Sequence, residues 1–188
     1  MTIWELRANE DYNDAFMIGF NDKICYEKGI DFEFIQTDPF IRKIKIEQYS
    51  KGFADIMNYM GIGGSCIVNS KVKTLIEKNF SHLSFQFLPC YSKQFPNIEM
   101  WILKVCEYHD FFDINNGVCR TGENLKGEKV IMFIKKYAFL EEAFRYDLFK
   151  LILSGQRSPY NLFVSDRFKT IMEENGVTGL NLKAVYTI

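Results

Sequence analysis

Histidines are few in this sequence, and paired cysteines are missing. Neither His82 nor His109 belongs to an HxxxH or HExxH pattern, and the five cysteines include no CxxC pair. Structural and catalytic metal sites usually draw their ligands from such patterns. We therefore expect no metal, no cofactor and no active site that a motif would define.

Features of export and membrane insertion are also missing from these residues. The start, MTIWELRANEDYND, has neither a basic segment nor an apolar one, and no apolar run approaches the ~18 residues of a membrane span. An odd number of cysteines argues against a disulfide framework and for free thiols in a reducing compartment. We expect a cytoplasmic protein without a membrane partner.

Neither sign of charge is in excess, because the formal net charge is −1. This balance argues against a dedicated polyanion binder, so we expect no nucleic-acid partner. Aromatic residues, in contrast, are abundant, with eighteen Phe and ten Tyr. Most must lie in the core, and a surplus at the surface would suit a protein–protein interface.

Two stretches of the chain resemble each other. Residues 66–91 read CIVNSKVKTLIEKNFSHLSFQFLPCY, and residues 162–186 read LFVSDRFKTIMEENGVTGLNLKAVY. With an offset of 96, identical residues fall together at Val68/Val164, Lys73/Lys169, Thr74/Thr170, Glu77/Glu173 and Asn79/Asn175. We predict that these stretches are two copies of one structural unit.

Each stretch predicts a strand, a short capped helix and a second strand. Asn69 or Ser70 can cap the first helix, and Ser165 or Asp166 the second, because these side chains accept a hydrogen bond from a free amide of the first turn. Gly176 then ends the second helix, since glycine adopts positive φ at little cost. Alternating apolar residues predict the closing strands.

Other segments complete the predicted fold. IEMWILKVCEY and VIMFIKKYAF predict strands, FADIMNYMGIGG predicts a short helix, and apolar residues at helical spacing predict an amphipathic helix over residues 140–155. No Pro-, Gly- or Ser-rich linker divides the chain. We predict one compact α+β domain over residues 1–188 with antiparallel strands. Residues 1–60 would form a peripheral layer around a core of residues 61–188 that holds the duplicated unit.

Patterns that could carry chemistry are weak. GIGGS at residues 61–65 lacks the spacing of a phosphate-binding loop. Asp166 and Arg167 could form a catalytic pair, but helix capping by the acid and solvent exposure of the base is the simpler interpretation. Cys106 and His109 lie three residues apart, and an enzyme would need them to converge with an acid.

An acidic stretch near the start is the most distinctive charge pattern. Residues 5–22 hold five acidic residues, with Arg7 as the one base, and carry the aromatic residues Tyr12 and Phe16, which we expect to be exposed. An acidic surface with aromatic side chains would complement a partner with a basic face, and it would speed association by electrostatic steering.

The repeated motifs resemble those of a known family. Val164-Ser165-Asp166, Thr178-Gly179-Leu180 and the strand from Trp101 to Val105 are similar to motifs of a bacterial immunity family, the eleventh of polymorphic toxin systems, whose prototype is myxobacterial. The similarity covers about residues 60–112 and 140–187. It gives Ser165, Asp166, Gly176 and Gly179 structural roles and implies no catalytic residues.

The resemblance implies a non-enzymatic protein that binds a cognate toxin domain stoichiometrically and blocks it. Toxin contacts are then expected in the acidic segment, chiefly at Asp11, Tyr12, Asp14 and Phe16. Two alternatives remain open: a small-molecule-binding or scaffold domain, and an enzyme with a spatially assembled Cys/His site. The sequence leaves open the toxin, the mode of inhibition and the oligomeric state.

Overall fold

The computed structural model describes residues 1–7, 13–17, 42–48, 53–59, 65–92, 95–158 and 161–188. Within these ranges the chain forms fourteen strands, two α-helices and one short 3₁₀ helix. The strands are β1 (Thr2–Leu6), β2 (Asn13–Met17), β3 (Arg42–Gln48), β4 (Ile56–Tyr59), β5 (Cys66–Asn69), β6 (Phe85–Tyr91), β7 (Met100–Val105), β8 (Tyr108–His109), β9 (Val118–Glu123), β10 (Lys129–Lys136), β11 (Leu148–Leu153), β12 (Gln156–Arg157), β13 (Leu162–Ser165) and β14 (Leu182–Thr187).

Strand β1 is an interior strand of a six-stranded sheet. The order is β12-β11-β13-β1-β14, with β8 added in parallel to β11. Both neighbours of β1 are antiparallel to it, and Ile3 and Glu5 are almost fully buried. Residues 2–6 therefore lie inside the sheet, whereas the sequence indicated a peripheral layer for this part of the chain.

The remaining strands form a closed barrel and a separate hairpin. The barrel runs β2-β3-β6-β7-β5-β4, and two of its contacts, β3–β6 and β2–β4, are parallel. Strands β9 and β10 pair only with each other among the described strands. The fold is thus α+β with mostly antiparallel strands, as predicted.

The two helices follow the predicted caps. Helix α1 (Ser70–Asn79) begins after Asn69, whose Oδ1 accepts a hydrogen bond from the Val72 amide at 3.2 Å. Helix α2 (Asp166–Glu174) begins after Ser165, whose Oγ accepts from the Phe168 amide at 3.1 Å. Residues four apart are buried on each helix, so each buries one stripe.

Three apolar cores separate these layers. The largest lies between the helices, the barrel and the six-stranded sheet, and includes the ring contact between Phe80 and Phe168 at 5.4 Å. A second fills the barrel around Ile67 and Ile102. The third lies on the other face of the sheet, around Phe149 and Phe163, beneath the hairpin and the 3₁₀ helix (Glu141–Arg145). Ring contacts among Phe139, Phe149 and Phe163 show that the third core is rich in aromatic side chains.

The prediction of a helix over residues 140–155 is wrong. Only Glu141–Arg145 is helical, and as a 3₁₀ helix, while Leu148–Leu153 is strand β11. Leu148 packs in the first core, and Phe149 and Leu151 pack in the third. A strand buried on both faces is apolar at nearly every position, so it also contains residues at helical spacing.

The short helix predicted from FADIMNYMGIGG is also wrong, because Ile56–Tyr59 forms strand β4. Ile56 faces the first core and Met57 the second. The same burial of both faces explains the error. Residues 60–64, where that helix was expected to end, lie outside the described ranges.

The two similar stretches occupy matching positions. Strand β7 lies between β5 and β6 and is antiparallel to both; β1 lies in the same way between β13 and β14. Val68 is paired with Trp101, and Val164 with Trp4. Each stretch is thus a strand, a helix and a strand around an inserted antiparallel strand.

Candidate functional site

Two of the four expected toxin contacts lie outside the described ranges, and the structure gives only the backbone position of the other two. Asp11 and Tyr12 lie outside the described ranges. Asp14 and Phe16 lie on strand β2, where the backbone pairs them with Glu47 and Lys45 of β3. Both positions therefore belong to the barrel wall.

Glu5, the first acid of that stretch, does not belong to an acidic surface. Its residue is 6% exposed, and its carboxylate forms an ion pair of 2.6 Å with Arg7. Asn161 Nδ2 donates a further hydrogen bond to the same carboxylate. A buried and paired carboxylate is a structural group, so the acidic surface cannot begin before residue 10.

Ser165, Asp166 and Arg167 build a helix terminus rather than a catalytic pair. The Asp166 carboxylate accepts hydrogen bonds from the Thr2 amide at 2.7 Å and from Trp4 Nε1 at 2.8 Å. Arg167 instead pairs with Asp147 at 2.5 Å. Asp166 therefore ties α2 to strand β1, and Arg167 ties it to Asp147, the residue that precedes β11.

Asp55 and Asp147 act alike at the two helix starts. Asp55 accepts from Asn69 Nδ2 at 2.6 Å and pairs with Lys71 at 3.2 Å, while Asp147 accepts from Ser165 Oγ at 2.5 Å. Lys71 and Arg167 each form a hydrogen bond to the end of the other helix. Lys71 Nζ donates to the Gly176 carbonyl at 2.8 Å, and Arg167 donates to the Asn79 carbonyl at 2.9 Å. Each helix start is thereby joined to the end of the other helix.

Gly179 is required by packing at this junction. Its φ is +86°, and a Cβ atom there would lie 2.0 Å from the carbonyl oxygen of Ile56. Gly176 also has positive φ, at +59°, but a Cβ atom there would meet nothing within 4 Å. The predicted structural roles of both glycines have a physical basis in these conformations.

The Cys106–His109 arrangement lacks the contacts of a nucleophilic site. His109 Nε2 lies 3.1 Å from Glu107, and its ring is stacked on Phe111 at 4.6 Å. Cys106 Sγ instead donates to the Lys104 carbonyl at 3.9 Å. Burial raises the pKa of the Cys106 thiol, which works against formation of the nucleophilic thiolate. Among the described residues no three acidic, His or Cys side chains could hold a metal ion.

A buried lysine is one feature that sequence reasoning missed. Lys150 is 1% exposed on β11, and burial lowers the pKa of its amine to about 8. The Lys150 Nζ lies 5.6 Å from the centre of the Tyr108 ring. A single Lys within the apolar run LFKLIL was the available sign of a buried amine.

A groove of about 590 Å³ lies between the hairpin and the six-stranded sheet. Strand β10 forms one wall, and Lys183, Ala184 and Val185 of β14 line the opposite one. Glu5, Arg7 and Asn161 line it as well and are already engaged with one another. Burial raises the pKa of Tyr137, another lining residue, to about 12, and the charge of Glu5 adds to this effect.

The groove offers binding rather than reaction. Its acid is paired with Arg7, burial raises the pKa of its phenol, and its walls combine apolar residues with the bases Lys135, Lys136 and Lys183. Sequence reasoning missed it because GENLKGEK indicated only solvated surface, and because the residues that line the opposite wall of the groove lie in distant parts of the chain. A concave cleft of this volume is within the range of small-molecule sites, so its size by itself does not assign it to a protein partner.

The described residues form an α+β protein with mixed sheets and two helices. Neither described helix is long and apolar enough to cross a membrane. Its sequence matches the Immunity protein family (Imm11) over residues 33–187, and the chain belongs to that family. Membership places it in toxin immunity, among generally non-enzymatic proteins with toxin partners. No curated protein matches this sequence.

Proposed function

We propose that this protein binds one cognate bacterial toxin domain stoichiometrically and neutralises it by direct contact. Membership of the immunity family over residues 33–187 carries the proposal. The described polar groups support it, because they act as helix caps and as ties between helices, and none of them forms a reactive pair. A stoichiometric inhibitor needs a stable surface of about 1,600 Å² in total rather than an active site.

The same membership supports a proposal for the setting. The protein acts in a polymorphic toxin system, in the cytoplasm of the cell that makes the toxin. It works without catalysis. A reducing compartment suits its cysteines, since Cys66, Cys90, Cys106 and Cys119 are all free thiols.

The acidic segment remains part of the proposed interface. Asp11, Tyr12, Asp14 and Phe16 would contact a basic face of the toxin, and the barrel wall that holds β2 would give this segment a fixed base. Acidic rim residues would mainly raise the association rate, while the aromatic residues would supply affinity.

We also propose that the chain is one domain made of two copies of the unit. Matched registers support this: β4 pairs Ile56 with Val68, and β11 pairs Leu148 with Val164. Lys73 lies over the Trp101 ring at 5.3 Å, and Lys169 over the Trp4 ring at 5.0 Å. The first core includes residues of both copies, which joins them in a single domain.

The test is co-expression with the toxic domain encoded beside this gene. Survival of the cells, together with co-purification of the two proteins in a 1:1 complex, is the expected result. Survival without any complex would instead indicate an enzyme that acts on the toxin's product or target, and death of the cells would contradict immunity to that toxin.

A further inference from the structure

We propose that the outer face of the β9–β10 hairpin, residues 118–136, is a docking surface for an acidic face of the toxin domain. This inference rests on the proposed function and assigns it a second surface, opposite in charge to the acidic segment. Four features of the hairpin carry it: exposed apolar side chains, two bulges, a rigid turn and an excess of basic residues.

Apolar side chains of the hairpin are exposed, and those of β10 also line the groove beside the six-stranded sheet. Met132 is 65% exposed, Phe133 64% and Val118 48%. The other face of the same hairpin packs against the third core through Cys119, Ile131 and Ile134. Because the inner face already anchors the hairpin, folding does not account for apolar residues on the outer face.

Two bulges in β10 set this arrangement. Ile131 and Phe133 pair with the consecutive residues Thr121 and Arg120, so Met132 is an extra residue; Lys135 is extra in the same way. A bulge changes the alternation of side chains, and here it exposes Met132 with Phe133 and Lys135 with Lys136. Bulges weaken the pairing of a two-stranded sheet, so their presence on the exposed strand suits a recognition role.

The turn of the hairpin is fixed before any partner binds. Asn124 Oδ1 accepts hydrogen bonds from the amides of Lys126 at 2.9 Å and Glu128 at 3.0 Å, and Gly127 has a φ of +75°. A surface held in place in the free protein loses less conformational entropy on binding.

The excess of basic residues on the hairpin favours a partner with an acidic surface. Residues 118–136 hold five basic and two acidic residues, a formal charge of +3 in a chain whose total is −1. All five bases are exposed, and none makes an ion pair within the described part of the chain. They are Arg120, Lys126, Lys129, Lys135 and Lys136. Free bases around apolar side chains complement carboxylates around an apolar side chain.

A protein surface fits this face better than nucleic acid does. Glu123 and Glu128 lie within the hairpin and would repel phosphates. The exposed Met132 and Phe133 side chains would gain from burial against an apolar partner. The toxin domain is therefore the occupant to which the surface is assigned.

The experiment measures the Kd of the full chain for the toxic domain encoded beside its gene, by calorimetry. The test variants are Lys135→Glu/Lys136→Glu and Met132→Ser/Phe133→Ser, all at exposed positions. The control is Lys78→Glu/Arg145→Glu, which changes the charge equally at exposed positions outside the hairpin. We expect each test variant to raise the Kd about tenfold or more, the charge variant chiefly at low salt, and the control to leave it unchanged.

The outcomes separate this inference from the proposed function. Wild-type binding that both test variants retain would overturn the docking surface and leave immunity intact. Failure of the wild type to bind or protect would overturn both. Binding of a labelled 20-mer RNA or DNA by the wild type, lost in the lysine variant while toxin binding is kept, would assign the hairpin to nucleic acid instead.

Discussion

Gly176 and Gly179 follow the same helix and both have positive φ, yet their surroundings differ. At Gly176 an added methyl group meets open space, and at Gly179 it meets the backbone of β4. The conformation alone costs a non-glycine residue about 1–2 kcal/mol. Contact with a backbone oxygen, which cannot rotate away, adds a cost of its own.

We therefore predict that Gly179→Ala lowers the free energy of unfolding by about 2–4 kcal/mol. Gly176→Ala, the matched control, should lower it by about 1–2 kcal/mol, because only the strained φ contributes. Urea unfolding followed by circular dichroism measures both values. Equal losses at the two positions would show that the contact between Gly179 and β4 is not what requires glycine.

Asp55 gives the stability a dependence on pH. Burial by itself raises the pKa of its carboxyl group. Hydrogen bonds from Thr178, Asn69 and Lys71 outweigh burial and hold the pKa below its ordinary value. A depressed pKa in the folded state means that the carboxylate stabilises the fold above the unfolded pKa of about 3.9, and that this contribution is lost as the pH falls through the folded value.

Asp55→Asn should accordingly destabilise the protein at pH 7, and the difference from wild type should shrink as the pH falls below about 4. Urea unfolding at intervals between pH 7 and pH 2.5 measures the two curves. The variant must first show the wild-type near-ultraviolet circular dichroism at pH 7. A difference that stays constant over the whole range would rule out ionisation of Asp55 as its cause.

At the scale of elements, helices α1 and α2 were predictable because their determinants are local. Asn69 and Ser165 cap them through amides three residues away, and each helix buries one stripe. Strands β4 and β11 were mistaken for helices because both faces are buried, and that depends on layers formed by distant parts of the chain. The spacing of apolar residues alone cannot distinguish a strand buried on both faces from a helix.

The candidate site shows the same division. A helix cap at Ser165 or Asp166 was visible in the sequence, since capping depends on neighbouring residues. The hairpin was not, because a bulge depends on how two strands are aligned, and an exposed Phe133 looks like any other strand residue until its neighbours are known. Likewise Glu5 counted as surface charge until Asn161 was found beside it.

At the scale of the whole molecule, the two similar stretches, which we propose to be copies of one unit, differ in how the inserted strand is connected to them. In the first, the inserted strand β7 follows β6 directly; in the second, the inserted strand is β1, at the opposite end of the chain. The ends of the described chain are nevertheless adjacent. The Met1 amino group donates to the Ile188 carbonyl at 3.1 Å, and the Ile188 amide donates to the Met1 carbonyl at 3.1 Å.

Joining the ends should therefore be tolerated. We predict that a circular permutant, with residue 188 linked to residue 1 by a short Gly/Ser linker and opened between Asn115 and Asn116, unfolds cooperatively within about 1 kcal/mol of wild type. The opening lies in an exposed turn, and the linkage makes β13, α2, β14 and β1 contiguous in the order that the first unit already has. Deleting residues 1–6 is the comparison, because it removes the strand between β13 and β14 and should abolish the cooperative transition. If the permutant failed to fold while the deletion variant folded, β1 would not be the strand that completes the second unit.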